Sequence, residues 1–203
     1  MALERHEKEK REGAVIETCQ GIQPMFEAFY LEALAYAAGR ADAAFDRFSE
    51  ALGTDRTGAE IVATVHEALA HAAALSRFFW PAGNAGALAA ARATKLRAAF
   101  GLSESSALYG RDLRNALEHF DERLDQYLLE DHVGYFFPSP IVGDSRMAED
   151  QLGHIFRLVD PDREVFVLLG QSYEFGPIRQ EILDVMKNAR EMSDAGSRLR
   201  AST

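Results

Sequence analysis

The chain predicts a mainly α-helical bundle with one β-hairpin set into it before the last helix. Three observations carry that expectation. Apolar residues recur at i, i+3, i+4 and i+7 through several long stretches, the period of a helix with one buried face. Prolines and glycines punctuate the ends of those stretches, at Pro24, Gly53, Pro81, Gly101 and Gly176-Pro177. Only residues 154–171 change texture. There, β-branched and aromatic runs flank Asp160-Pro161-Asp162-Arg163, a turn sequence.

Residues 1–23 read as a charged lead-in, helical if anything, with Val15-Ile16 as a short apolar pair. Pro24 opens a helix over residues 25–52. Its inward face is Phe26, Phe29 or Tyr30, Leu34, Ala37, Ala41, Ala44 or Phe45, and Phe48, with Gly39 as a place for a kink. A polar connection follows, and a second helix over 59–80 turns Ile61, Val65, Leu69, Ala72, Leu75 and Phe79 inward until Pro81 stops it. After a loop at 82–86, an alanine-rich helix over 87–100 ends at Gly101. Ser103 or Ser105 is expected to cap the next helix, which runs to about Glu130. Residues 134–146 read as a loop held down by Tyr135-Phe136-Phe137. The last helix starts at Gly176-Pro177, since proline suits a first turn, and turns Ile178, Ile182, Val185 or Met186, and Ala189 inward. One domain over 24–192 is expected, hairpin included, with a small polar flexible tail over 193–203.

A chain of 203 residues is long enough for one substantial core, and its 47% hydrophobic and 27% charged content is that of a globular protein. The net charge of −10 argues against broad binding to duplex DNA or to an anionic membrane, though a small phosphate site stays compatible with it. No apolar run reaches the ~18 residues of a membrane span. The charged stretch from Met1 to Gly13 lacks the apolar core of a signal peptide. Cys19, the one cysteine, gives neither an internal disulfide nor a cysteine-based zinc site. A cytoplasmic protein with no metal and no cofactor is expected.

Several familiar sites fail on spacing. The glycine cradles of dinucleotide and P-loop sites are missing. His66-Glu67-Ala68-Leu69-Ala70-His71 resembles a zinc-protease motif but is one residue too long, which sets the two imidazoles about 140° apart on a helix. An i,i+4 contact between Glu67 and His71 is the expectation instead. No Glu-x-x-His occurs, so a di-iron carboxylate site is not expected either.

The stretch from Arg111 to Leu124 holds more chemistry than any other. Leu113, Leu117, Phe120, Leu124 and Tyr127 or Leu128 form one apolar stripe, and Tyr127 is expected in the core. Arg111, Asn115, Glu118, His119 and Glu122 are expected on the opposite side. Within it, Arg114-Asn115-Ala116-Leu117-Glu118-His119 resembles the motif of the HEPN domains (higher eukaryotes and prokaryotes nucleotide-binding), which are all-α bundles. Those domains carry an arginine, a polar residue after it and a histidine five to seven positions beyond the arginine, on a long helix late in the bundle. Arg114, Asn115 and His119 match residue for residue.

The resemblance implies metal-independent RNA cleavage in many members and a binding or scaffolding role in others. On it, His119 exchanges a proton with a ribose 2′-OH or the leaving oxygen, Arg114 stabilises the phosphorane, and Asn115, Arg111 and Glu118 support them. The product expected is a 2′,3′-cyclic phosphate. Arg114 and His119 stand about 140° apart on an ideal helix, so one copy does not aim both at one phosphate. A homodimer facing two copies of the helix across a two-fold axis would, and HEPN ribonucleases resemble that picture. RNA is then the substrate, a toxin or defence role follows, and an antitoxin or nucleotidyltransferase is the partner to look for. The alternatives are a non-catalytic HEPN-like module that binds nucleotides or proteins, or simply a solvated face carrying an Arg114–Glu118 ion pair and a surface histidine. Glu118, Asp121 and Glu122 repel a phosphate, which favours the non-catalytic reading.

Overall fold

In the computed structural model, which describes residues 4–130 and 133–201, seven α-helices surround one main core and a small β-region is inserted before the last helix. Residues 1–3 of the lead-in and 202–203 of the tail lie outside the described residues. The helices are α1 (Arg5–Cys19), α2 (Glu27–Ala51), α3 (Gly58–Phe79), α4 (Ala87–Phe100), α5 (Arg111–Glu118), α6 (Phe120–Glu130) and α7 (Gly176–Asp194). The strands are β1 (Tyr135–Phe137), β2 (Ile141–Val142), β3 (Gly153–Ile155), β4 (Arg157–Asp160), β5 (Val165–Leu168) and β6 (Gln171–Glu174).

Helix α1 buries no residue fully and is laced by i,i+4 ion pairs such as Arg5–Glu9 and Glu7–Arg11, as expected of a charged lead-in. Helix α2 packs between α3 and α7 and passes through Gly39 without a break. From Leu34 onward it buries Leu34, Ala41, Ala44, Phe45 and Phe48 as the periodicity requires. At its start the expectation fails. Phe26 is 43% exposed and Glu27 takes the inward position at 3%; of the pair Phe29 or Tyr30, it is Tyr30 that packs against the core, with Phe29 71% exposed. The Glu27 carboxylate accepts from Lys95 Nζ at 2.8 Å, Arg198 Nε at 2.9 Å and the Leu199 N–H at 3.0 Å. This one buried charge ties α2 to α4 and to the chain end, so the tail is docked through Arg198 and Leu199.

Helix α3 buries Ile61, Val65, Leu69, Ala72, Leu75 and Phe79, the whole expected face. Thr57 starts it with a reciprocal capping box: its Oγ1 accepts from Glu60 N at 3.3 Å, and Glu60 Oε2 accepts from Thr57 N at 2.9 Å. Thr57→Ala is expected to cost about 1 kcal/mol. A calorimetric scan should show the melting temperature down by ~2–4 °C for a chain of this size. Helix α7 likewise buries Ile178, Ile182, Val185 and Ala189.

The hairpin forms as β4 and β5, paired antiparallel from Arg157↔Leu168 to Asp160↔Val165. It is part of a larger sheet of order β2-β4-β5-β6, with β2 parallel to β4. The parallel pair β1 and β3 lies in the segment read as a loop and at the start of the expected first strand. Strand alternation splits the side chains: Val159, Phe166 and Leu168 join the helical core, while Leu158, Val165 and Val167 form a second small cluster with Ile155. Phe175, just after the sheet, stacks on Phe45 at 5.7 Å and meets Phe48 edge-on at 5.8 Å.

The single long helix expected from Ser103 or Ser105 to Glu130 is not found. Ser106, not Ser103 or Ser105, caps a short 3-10 turn over Ala107–Tyr109, and α5 starts only at Arg111. The helix then breaks at His119, whose φ of −114° and ψ of 39° are not helical. The two halves are anchored to different layers. Arg114 and Glu118 fasten α5 to α3, whereas Phe120 and Tyr127 fasten α6 to Arg157, His154 and Phe156 of the β-region. A straight helix cannot reach both.

Candidate functional site

Pro81 ends α3 and leaves its last carbonyls without partners inside the helix. Two arginines from elsewhere supply them. Arg97 Nη1 donates to the Phe79 carbonyl, and Arg114 Nη1 donates to the Trp80 carbonyl at 3.0 Å. A guanidinium is well placed there, because the C-terminal end of a helix carries partial negative charge. Arg114 is 8% exposed, so it sits in the joint between α5 and α3 and not on a solvated face. The stripe explains this. Arg114 lies three residues before Leu117, only about 60° off the apolar line, so it turns inward with Leu113 and Ala116.

Glu118 pairs with Arg77 of α3, across the two helices, and not with Arg114. His119 stands at the break with its side chain 57% exposed, and its Nδ1 is 3.8 Å from Glu122 Oε2. Its backbone keeps the chain continuous through the bend: His119 N–H donates to Asn115 O, and His119 O accepts from Arg123 N–H, both at 3.0 Å. Asn115 is half-buried and Arg111 is exposed at the first position of α5. The fold therefore makes two pairs at this point, Glu118 with Arg77 and His119 with Glu122. It does not bring Arg114 to them. Arg77 and the Trp80 carbonyl are the partners that sequence reasoning missed, and no periodicity points to them, since they lie more than thirty residues earlier.

The neighbouring side chains complete the electrostatics. Arg157 lies 4.2 Å over the Phe120 ring, and burial holds its guanidinium below the usual arginine value. Burial, with the charge of Arg157 added, likewise keeps the His66 imidazole below its ordinary value, so His66 is neutral at pH 7. His154 is buried and satisfied: it stacks on Phe136 at 4.4 Å, its Nε2 meets the Val133 carbonyl at 2.9 Å, and its Nδ1 meets the Tyr127 hydroxyl at 3.3 Å. Tyr127 is half-buried and continues the core, as expected. The Glu67–His71 contact also forms, at 3.6 Å, but Arg47 is the closer partner of Glu67 at 2.7 Å. Among the described residues no group of three or more His, Cys, Asp or Glu is placed to hold a metal ion.

No protein-family model matches the chain, and no curated protein or solved structure matches it either. No helix of the described residues is long and apolar enough to cross a membrane.

Proposed function

We propose that this chain is a HEPN-like protein that cleaves RNA as a homodimer, with His119 as the proton-transferring group. The observation that supports this best is the helix break, which holds the imidazole of a matching Arg-Asn-x-x-x-His motif in solvent, one residue after a glutamate paired with an arginine of α3. In the reaction, an imidazole removes the proton from a ribose 2′-OH and the 2′-oxygen attacks the adjacent phosphorus. The 5′-oxygen leaves with a proton, giving a 2′,3′-cyclic phosphate and a 5′-OH end. A second copy brings a second His119, so one imidazole serves as base and the other as acid. Arg77 supplies the guanidinium for the phosphate once substrate competes with Glu118 for it. Arg114 instead fixes α5 against α3.

The same observation about Arg114 favours a second reading. A HEPN-like module whose motif arginine is committed to the fold, and whose histidine sits among Glu118, Asp121 and Glu122, suits a binding or scaffolding role. Incubation of single-stranded RNA with the protein in EDTA separates the two. Cleavage to cyclic-phosphate ends, lost by at least about a hundredfold in His119→Ala, supports the ribonuclease. RNA left equally intact by wild type and His119→Ala ends that reading in favour of binding. A protein that sediments as a monomer at micromolar concentration rules out the shared site.

A further inference from the structure

A cleft of about 620 Å³ opens where α3 ends, α4 begins and the 107–109 turn leads into α5. That volume lies within the range of small-molecule sites, roughly 300–1,000 Å³. Its charge runs against the chain. In a protein of net charge −10, the cleft is lined by two guanidiniums, Arg97 and Arg111, and one carboxylate, Glu104. The two arginines are differently held. Arg97 is fixed by its bonds to the Phe79 carbonyl and to Thr94 Oγ1, the latter at 3.1 Å. Arg111 is exposed and makes no hydrogen bond or ion pair among the described residues, so its donors are free for a ligand.

The aromatic side of the cleft is rigid. Tyr109 packs edge-on against Trp80 at 5.5 Å, and Trp80 in turn packs on Phe79 at 5.8 Å. Arg114 holds the Trp80 carbonyl from behind, so the motif arginine builds the wall of this cleft. Ala90 and Ala93 give the floor an apolar, small-residue surface. A flat ring beside an apolar floor and two cations matches a ligand with one planar ring and one anion. An isolated anion has no use for the ring, and an uncharged ring has none for the arginines.

We propose that this cleft is a nucleotide-binding subsite, in which a base stacks on Tyr109 and its phosphate is held by Arg111 with Arg97 behind it. The inference rests on the RNA reading above for its choice of ligand. It extends that reading by placing a substrate contact at the start of α5, about 12 Å along the helix from His119. A nucleotide unit reaches the cleft either free or as part of a strand, with the same contacts.

Trp80 is the only tryptophan, so its emission reports on this cleft alone. The full chain carrying His119→Ala, which cannot consume the probe, is titrated with a single-stranded RNA hexamer, with AMP and UMP, and with adenosine and ribose 5-phosphate separately. The expected result is a saturable change in Trp80 emission with the hexamer or a mononucleotide. Adenosine and ribose 5-phosphate should each bind at least about tenfold more weakly. Tighter binding of the hexamer identifies a strand as the ligand, and equal binding identifies a free nucleotide; both support the subsite. Arg111→Ala should weaken binding about tenfold with an unchanged melting curve; Tyr109→Ala, which also loses packing on Trp80, should weaken it about tenfold when measured well below its own melting temperature, and Tyr109→Phe should restore it. Two results overturn the proposal: no emission change with any nucleotide at millimolar concentration, or binding that neither variant alters. Cleavage lost in His119→Ala while Trp80 stays silent keeps the ribonuclease and removes the subsite. A Trp80 response without any cleavage in wild type does the reverse.

Discussion

Glu27→Ala is expected to cost about 3–5 kcal/mol, because it breaks a buried ion pair on one side only. The carboxylate is 3% exposed and answers Lys95, Arg198 and the Leu199 N–H at once. Removing it leaves a mostly buried ammonium without its counter-charge and frees the chain end from α2. A thermal scan should register this as a fall of roughly 6–20 °C. Glu27→Gln keeps the shape and loses the charge, so it should fall almost as far; if it melts like wild type, packing and not charge holds this joint. The pH dependence follows the same group. Burial alone raises the Glu27 pKa, but the hydrogen bonds from Lys95, Leu199 and Arg198 outweigh it, and the net shift is downward. A group whose folded pKa is depressed adds stability above its unfolded value, near 4.5, and loses it as pH falls through the folded value. Wild type should therefore lose melting temperature on acidification below about pH 4.5, and Glu27→Gln should show a smaller loss over the same window.

Arg114→Ala should cost about 2–3 kcal/mol, because the Trp80 carbonyl loses its partner in a closed joint and a well-packed side chain leaves it. The change should be visible as a shifted Trp80 emission as well as a lower melting temperature. Arg114→Lys restores a donor without the planar fork and should recover part of the loss. This measurement also bears on chemistry. Loss of RNA cleavage together with stability fits an arginine that holds α5 against α3. Loss of cleavage with the melting curve unmoved would assign Arg114 to the phosphate directly, against the geometry.

How the helices are laid out was legible from periodicity and punctuation. The stop at Pro81 and the inward faces of α3 and α7 follow from local rules, since each depends on residues within a few turns. The failures share one cause. Periodicity puts Phe26 inward, whereas Glu27 is the residue buried there, because the cost of burying its carboxylate is offset by Lys95 and Arg198, which lie 68 and 171 residues away in sequence. The continuous helix through His119 was favoured because its apolar stripe is unbroken, and the bend comes from α3 and the β-region pulling its halves to different layers. The strands β1 and β2 are short and gain their partners β3 and β4 at a distance, so alternation alone does not mark them.

By itself, then, the sequence determined a helical bundle, the place of the β4–β5 hairpin and the identity of the side chains able to do chemistry between Arg111 and His119. Only the tertiary structure decided which way those side chains face. Helical spacing fixes angles within one helix and says nothing about which neighbour lies on each side. The open end of α3 offers a carbonyl to Arg114 and turns it inward. The break at His119 turns the imidazole outward, and Arg77, from another helix, pairs with Glu118 next to it in sequence.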